Sequence, residues 1–293
     1  MSGSAARMKV GVLLFGIPYD RIAVMARRAE QLGVDSLWVP EHLVLPVRFR
    51  SRYPYSADGT PPVPPDMPFL DPLITLTQIA AATSTVRIGT NIYLLALRHP
   101  LETARRVMTL DLLSGGRVIL GVGTGWLAEE FEASGVDFAT RGARSSECIE
   151  ALHTLWTAEE PEFHGRFFSF GPVRFEPKPL QKPHPPIIVA GDAPSALRRA
   201  VRLADGWCGL GHTPDSAAPQ VAALRTLLAA SDRARDSFEI MVSFGNTALT
   251  RDDVQRYAAA GVDHIIVLPW DRAEDAEAQL EQLAARLQLQ PVR

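Results

Sequence analysis

The chain has 293 residues, 46% of them hydrophobic and 22% charged, with a formal net charge of −3. This balance fits a globular, enzyme-sized protein and argues against a surface built for nucleic acid or other polyanions. Two cysteines, Cys148 and Cys208, exclude a disulfide framework, and three lysines leave almost no candidate for Schiff-base chemistry. No apolar run is long enough to span a bilayer, and the start MSGSAARMKV has no hydrophobic signal region. A cytoplasmic protein is expected, with residues 1–7 frayed.

MKVGVLLF (8–15) is a compact apolar run ending near Gly16 and Pro18, which predicts a buried parallel strand. AVMARRAEQLG (23–33) has helical spacing and stops at a glycine, and DSLWVP (35–40) is a second strand. A proline-rich loop over 43–68 follows, carrying Arg48, Arg50, Arg52, Phe49, Tyr53 and Tyr55. A loop of that length is usually functional or disordered, and here it is expected to act as a lid. The alternation continues with a helix over 71–83, a strand over 86–95, a helix over 99–114 and a strand over 117–123. A helical stretch over 126–157 is interrupted near Gly135–Gly142. The aromatic segment 163–186 predicts a small hairpin insertion. Strands over 187–191, 205–211, 237–244 and 262–269 then alternate with helices over 195–204, 215–231, 250–260 and 272–288.

Eight strands alternating with eight helices predict α/β architecture with a parallel sheet. A single (β/α)8 TIM barrel spanning residues 1–293 fits this count better than the alternative, an open doubly wound sheet. In a barrel, chemistry gathers at the carboxyl ends of the strands. Those ends offer Glu41 and His42, Thr90 and Asn91, Gly123-Thr124-Gly125, Gly191 and Asp192, Gly209 to His212, and Trp270. The set is rich in glycine, amide and hydroxyl groups and poor in charge, which suits a flat polar ligand better than a metal ion. The histidines show neither H-E-x-x-H nor another metal spacing, so no metal is expected. His99, ahead of Pro100, reads as a helix cap. His42 lies at a strand end beside a carboxylate, where a functional and a structural role both fit.

Two glycine turns stand out. LGVGTGW (120–126) gives G-x-G-x-G, not the G-x-G-x-x-G of a dinucleotide fingerprint. VAGDAPSALRRA (189–200) runs from strand to helix, where unpaired N–H groups and the helix dipole favour an anion. The bland alternative is that Asp192 or Ser195 caps the helix, with Pro194 at its first position.

Taken together, SLWVPEH (36–42), VRIGTNIYLLALRHPLETARRVMTLDLLSGGR (86–117), LGVGTGWLAEEFEASGVDF (120–138), RGARSSE (141–147), FEPKPLQKPHPPIIVAG (175–191) and ALRRAVRLADGW (196–207) resemble the luciferase-like monooxygenase superfamily. The branch they look most like is that of the F420-dependent oxidoreductases. The resemblance implies a bacterial luciferase-like barrel in which Glu41 and His42 sit beside the central ring of the cofactor, with His42 exchanging a proton. It implies a non-prolyl cis peptide around Thr90, Asn91 and Ile92, placed at Asn91–Ile92, supporting the ring. Gly123, Thr124 and Gly125 would lie against the polar edge of the ring, and Ala190, Gly191, Asp192, Ala193 and Ser195 would take the cofactor phosphate. The implied substrate pocket is Phe15, the lid aromatics, Trp126, His212 and Trp270, for a small apolar or aromatic molecule. Lid arginines Arg48, Arg50 and Arg52 would meet the acidic tail of F420, or stand as a solvated basic loop. Trp126 occupies the place where some F420-dependent dehydrogenases carry an acidic residue. The alternatives are an FMN-dependent monooxygenase fed by a separate flavin reductase, and a flavin-binding barrel without turnover. The resemblance also implies a homodimer through helices of the first half.

Overall fold

The computed structural model describes residues 7–231, 238–245 and 248–291. The expectation for residues 1–7 therefore falls, except for Arg7, outside the described residues, as does the start of the strand predicted from 237.

Each apolar run bounded by turn residues forms a strand, and each 3.6-period stretch forms a helix. The elements are β1 (Lys9–Leu13), α1 (Ile22–Gln31), β2 (Ser36–Val39), α2 (Pro72–Ala82), β3 (Arg87–Thr90), α3 (Pro100–Leu113) and β4 (Val118–Gly123). Next come α4 (Ala128–Ala133), α5 (Arg141–Thr157), β5 (Ile187–Ala190), α6 (Pro194–Leu203), β6 (Gly206–Leu210) and α7 (Pro214–Ala229). The chain ends with β7 (Glu239–Gly245), α8 (Arg251–Ala260), β8 (His264–Leu268) and α9 (Ala276–Leu287). All eight strands pair in parallel. The order β3-β2-β1-β8-β7-β6-β5-β4 closes on itself through Ile88 against Val118. The expected (β/α)8 barrel is the observed fold. The insertion over 163–186 carries one short antiparallel pair, Phe163–His164 with Ser169–Phe170.

The core has two layers. The outer one lies between strands and helices. The inner one fills the barrel with Trp38, Ile119, Ile188, Ala190, Cys208, Met241 and Ile266. Trp38 is large for such an interior, and glycines on its neighbours make room: a Cβ on Gly11 or Gly89 would press into the indole. At the amino-terminal end of the barrel the indole N–H donates to Ser36 Oγ at 2.6 Å, and Ser36 meets His264 at 2.7 Å. His264 and Lys9 both contact Glu239. Burial alone would raise the Glu239 carboxyl, but the hydrogen bonds and charges of His264 and Lys9 outweigh it and hold the group down at about 2. This floor bears on stability, since barrel chemistry sits at the other end.

One expectation is corrected. The strand predicted over 86–95 stops at Thr90, just ahead of the cis Asn91–Ile92 peptide; pairing resumes only at Tyr93–Leu94, and a 3-10 turn follows over Leu95–Leu97.

Candidate active site

The carboxyl end of β2 carries Glu41 and His42, and the two side chains part company. Glu41 turns inward, its side chain 1% exposed, where it accepts the Leu94 N–H at 2.7 Å and pairs with Arg98. Burial pushes this carboxyl up to about 7, with Arg98 and the Leu94 N–H pulling the other way. The arrangement ties the end of β2 to the segment just beyond the cis peptide. Glu41 is thus a buried strut, and the structure does not bring it to the open mouth beside His42.

His42 faces the mouth. Its ring stands edge-on to Phe69 at 5.1 Å and to Trp126 at 5.9 Å. Its Nδ1 lies 3.0 Å from Oε2 of Glu130, a carboxylate with no exposed side-chain surface. The other oxygen, Oε1, accepts the Leu43 N–H at 2.5 Å and the Val44 N–H at 3.4 Å. Sequence reasoning missed Glu130. The signal was there: Leu127, Glu130 and Phe131 share one face at i, i+3 and i+4, so the glutamate falls among buried neighbours.

The glycine turn after β4 solves a packing problem first. A Cβ on Gly121 would run into the Thr90 carbonyl, one on Gly123 into Ile92 Cδ1, and Gly125 has φ +79° with its open side against Phe131. The backbone of 121–125 thereby lies directly against the Thr90–Ile92 segment. Thr90 is committed within the sheet, its hydroxyl donating to the Gly121 carbonyl at 2.7 Å. Asn91 reaches across the mouth and donates from Nδ2 to Ser243 Oγ on β7 at 2.6 Å. Thr124, between these glycines, is half-buried at the rim.

The second glycine turn follows β5 and Ala190. Gly191 has φ +116°, donates to the Cys208 carbonyl at 3.1 Å and accepts the Trp207 indole N–H at 2.8 Å. Helix α6 starts with Ala193 at its N-cap and Pro194 at its first position, and no side chain caps it. The capping role weighed for Asp192 and Ser195 is therefore corrected. Asp192 instead brings its Oδ1 to His212 Nε2 at 2.9 Å. His212 is held in turn by Ser216 at 3.2 Å, and its carbonyl accepts the Tyr257 hydroxyl at 2.6 Å.

The loop over 43–68 has no regular element, and two adjacent carboxylates of α4 fasten it. Glu130 takes its root at Leu43 and Val44. Glu129 takes Arg50 N–H, Ser51 N–H at 3.0 Å and Ser51 Oγ at 2.5 Å. Of the three lid arginines, Arg50 pairs with Glu132 at 2.5 Å and Arg52 bonds the Asp58 carbonyl at 2.7 Å. Two of the three are thus engaged within the protein. The loop lays Phe49 (6.1 Å) and Tyr53 (5.2 Å) against Trp126, and Tyr55 against Tyr53 and the Gly191 turn. Phe15 meets Phe69 at 5.4 Å. Trp270 is not part of this group: it is 2% exposed, packs in the outer core and donates its indole N–H to the Phe15 carbonyl at 2.9 Å.

The mouth of the barrel thus holds the His42 imidazole backed by buried Glu130, a second imidazole, His212, paired with Asp192, a ring of aromatics, and an uncapped helix start. Among the described residues no cluster of three or more His, Cys, Asp or Glu is arranged to hold a metal.

This is the fold of a luciferase-like barrel. The chain belongs to the luciferase-like monooxygenase family, whose model matches residues 2–291. It is 36% identical over 267 residues to the uncharacterized protein Rv0953c of Mycobacterium tuberculosis, covering 90% of this chain and 93% of that one. It is 36% identical over 138 residues to the FMNH(2)-dependent dimethylsulfone monooxygenase of Pseudomonas putida, covering 46% of this chain and 38% of that protein. It is 35% identical over 257 residues to a phthiodiolone/phenolphthiodiolone dimycocerosates ketoreductase of Mycobacterium sp. (strain JLS), covering 82% and 66%. Among solved structures, an F420-dependent secondary alcohol dehydrogenase has the same fold, with TM-score 0.77 and 16% identity over 96% of this chain and 99% of that one. The protein is an oxidoreductase of this family, and no helix among its described residues is long and apolar enough to cross a membrane.

Proposed function

We propose that the protein is an F420-dependent oxidoreductase that moves a hydride between the deazaflavin and a small, uncharged, apolar or aromatic carbonyl or alcohol. The observation that carries this reading is the placement of the His42 imidazole, set among aromatics at the barrel mouth and backed by a buried carboxylate. Reduction of a carbonyl needs one hydride and one proton, and the imidazole is suited to the proton. The kinship with a ketoreductase supports the same chemistry.

The residues present fit such a cofactor. The Gly191 turn has no side-chain cap, and its one carboxylate, Asp192, is turned to His212, so the N–H groups near Ala193 and Ser195 suit a phosphate. Asn91 and Ile92 would back the ring, and the backbone of Gly123, Thr124 and Gly125 would meet its polar edge. When bound, F420 supplies the carbon that gives or takes the hydride. The protein does the rest. Phe69 and Trp126 confine the substrate beside His42, the loop carrying Phe49 and Tyr53 keeps water out, and His42 gives or takes the proton at Nε2. The FMN-dependent monooxygenase reading, with a separate reductase as partner, is favoured by the kinship with the dimethylsulfone enzyme. Exposed Ile74 on α2 and Leu112 and Leu113 on α3 support a homodimer through these helices.

Titration with F420 and with FMN, followed by tryptophan quenching, tests the reading. Micromolar binding of F420 with no binding of FMN is expected; the reverse would overturn it. His42→Ala is expected to lower turnover about 10²–10⁴-fold while leaving F420 affinity unchanged.

A further inference from the structure

We propose that Glu130 is a positioning residue that holds His42 in one tautomer, with the proton on Nδ1 and the Nε2 lone pair facing the mouth; this rests on the reading of His42 as the proton-exchanging group. The geometry is specific. Glu130 has no exposed side-chain surface, and each of its oxygens has a fixed job. Oε1 accepts backbone N–H groups from Leu43 and Val44, and Oε2 faces His42 Nδ1 at 3.0 Å. A carboxylate accepts and does not donate, so Nδ1 must carry the proton. The neutral ring then presents Nε2 as an acceptor, and among the described residues no protein group bonds it. Phe69 and Trp126, edge-on to the ring, leave it little freedom to turn over.

The consequence is chemical. Nε2 is the atom that exchanges the proton, so the substrate must place an oxygen there. In the oxidising direction the substrate O–H proton would pass to Nε2, with oxidised F420, when bound, as the acceptor of the C–H hydride. In the reducing direction both return, and the carbonyl becomes the alcohol. A pure hydrocarbon gives Nε2 nothing to do.

The same geometry makes a sharp test. In Glu130→Gln the two backbone N–H groups at Leu43 and Val44 continue to demand an acceptor, so they keep the amide oxygen. That forces the amide NH2 to the Oε2 position, where it donates to Nδ1 and drives the proton to Nε2. A nearly isosteric change thus inverts the tautomer.

The measurement is nitrogen-15 NMR of the histidine side chains in the full-length protein without cofactor, at a pH where the imidazole is neutral. His42→Ala assigns the His42 signals among those of the seven histidines. The wild type is expected to carry the proton on Nδ1 and Glu130→Gln on Nε2. With F420 and substrate supplied, the same variant is expected to lose about 10²-fold or more in kcat with F420 affinity unchanged. A wild-type protein with its proton on Nε2, or a Glu130→Gln protein with its proton still on Nδ1, overturns the proposal. Should Glu130→Gln not fold, the wild-type tautomer alone decides. Because the spectra need no cofactor, failure to bind F420 would sink the functional reading and leave this result standing, and an Nε2–H wild type would do the opposite.

Discussion

Separating Glu41 from Arg98 should damage the fold first, with a pH signature. The pair is buried, Arg98 9% and Glu41 1% exposed at the side chain, and it joins the end of β2 to the segment after the cis peptide. Above pH 7, where this carboxyl carries its charge, Arg98→Met leaves it buried without its cation, and removing one partner of such a pair costs about 3–5 kcal/mol. Glu41→Gln keeps an acceptor for the Leu94 N–H and should cost less. The pH dependence follows from the raised carboxyl. Its ordinary value of 4.5 applies to the unfolded chain and about 7 to the folded one. The folded state therefore holds this proton more tightly. Its contribution to stability is full below 4.5 and is lost as the pH rises through 7. The gap corresponds to about 3 kcal/mol. Urea unfolding of the wild type and Glu41→Gln at several values between pH 4.5 and 8 measures it. The wild type should lose more stability than Glu41→Gln as the pH rises across that window. Parallel curves for the two proteins, or an Arg98→Met variant as stable as the wild type, would refute the reasoning.

Other consequences are smaller in scope. Gly121→Ala places a methyl against the Thr90 backbone carbonyl, whereas Gly123→Ala meets the far end of the Ile92 side chain, which can swing. The first should destabilise more than the second, which should cost about 1–3 kcal/mol; equal thermal midpoints would contradict this packing. Glu239, held at about 2 against the pull of burial by His264 and Lys9, contributes stability above its ordinary 4.5 that is lost as the pH falls toward 2. Glu239→Gln should therefore narrow the stability difference between pH 6 and pH 3, read by thermal unfolding. An unchanged difference would show that the floor of the barrel does not depend on that charge.

The architecture was legible because every strand but β3 is a short run closed by glycine or proline, and each helix shows its period. The place of His42 at the mouth was legible for a similar reason, since it stands at a predicted strand end. The break at Asn91 was not readable from periodicity, since TNIYLL continues an apolar strand pattern and only the family resemblance placed the cis bond there. Glu41 and His42 are neighbours in sequence, yet successive side chains leaving a strand point opposite ways, and this sends one into the core and the other to the mouth. Glu129 and Glu130 were obscured by their setting: WLAEEFEASG reads as a solvated helix with a charged face. Only the placement of Leu127 and Phe131 on the same side reveals that one glutamate must be buried. Trp270 shows the reverse error, because a strand-end position says nothing about which way an indole turns, and this one turns to the Phe15 carbonyl.

The central claim is hydride transfer to or from a carbonyl carbon with His42 moving the proton. The direct measurement uses F420 reduced with deuterium at its hydride-bearing carbon, incubated anaerobically with the protein and a panel of aliphatic and aromatic ketones. The account predicts an alcohol with one deuterium on the carbinol carbon, formed by the wild type and about 10²-fold or more slowly by His42→Ala. Absence of deuterium transfer, together with oxygenated product formed from reduced FMN and dioxygen, would contradict it.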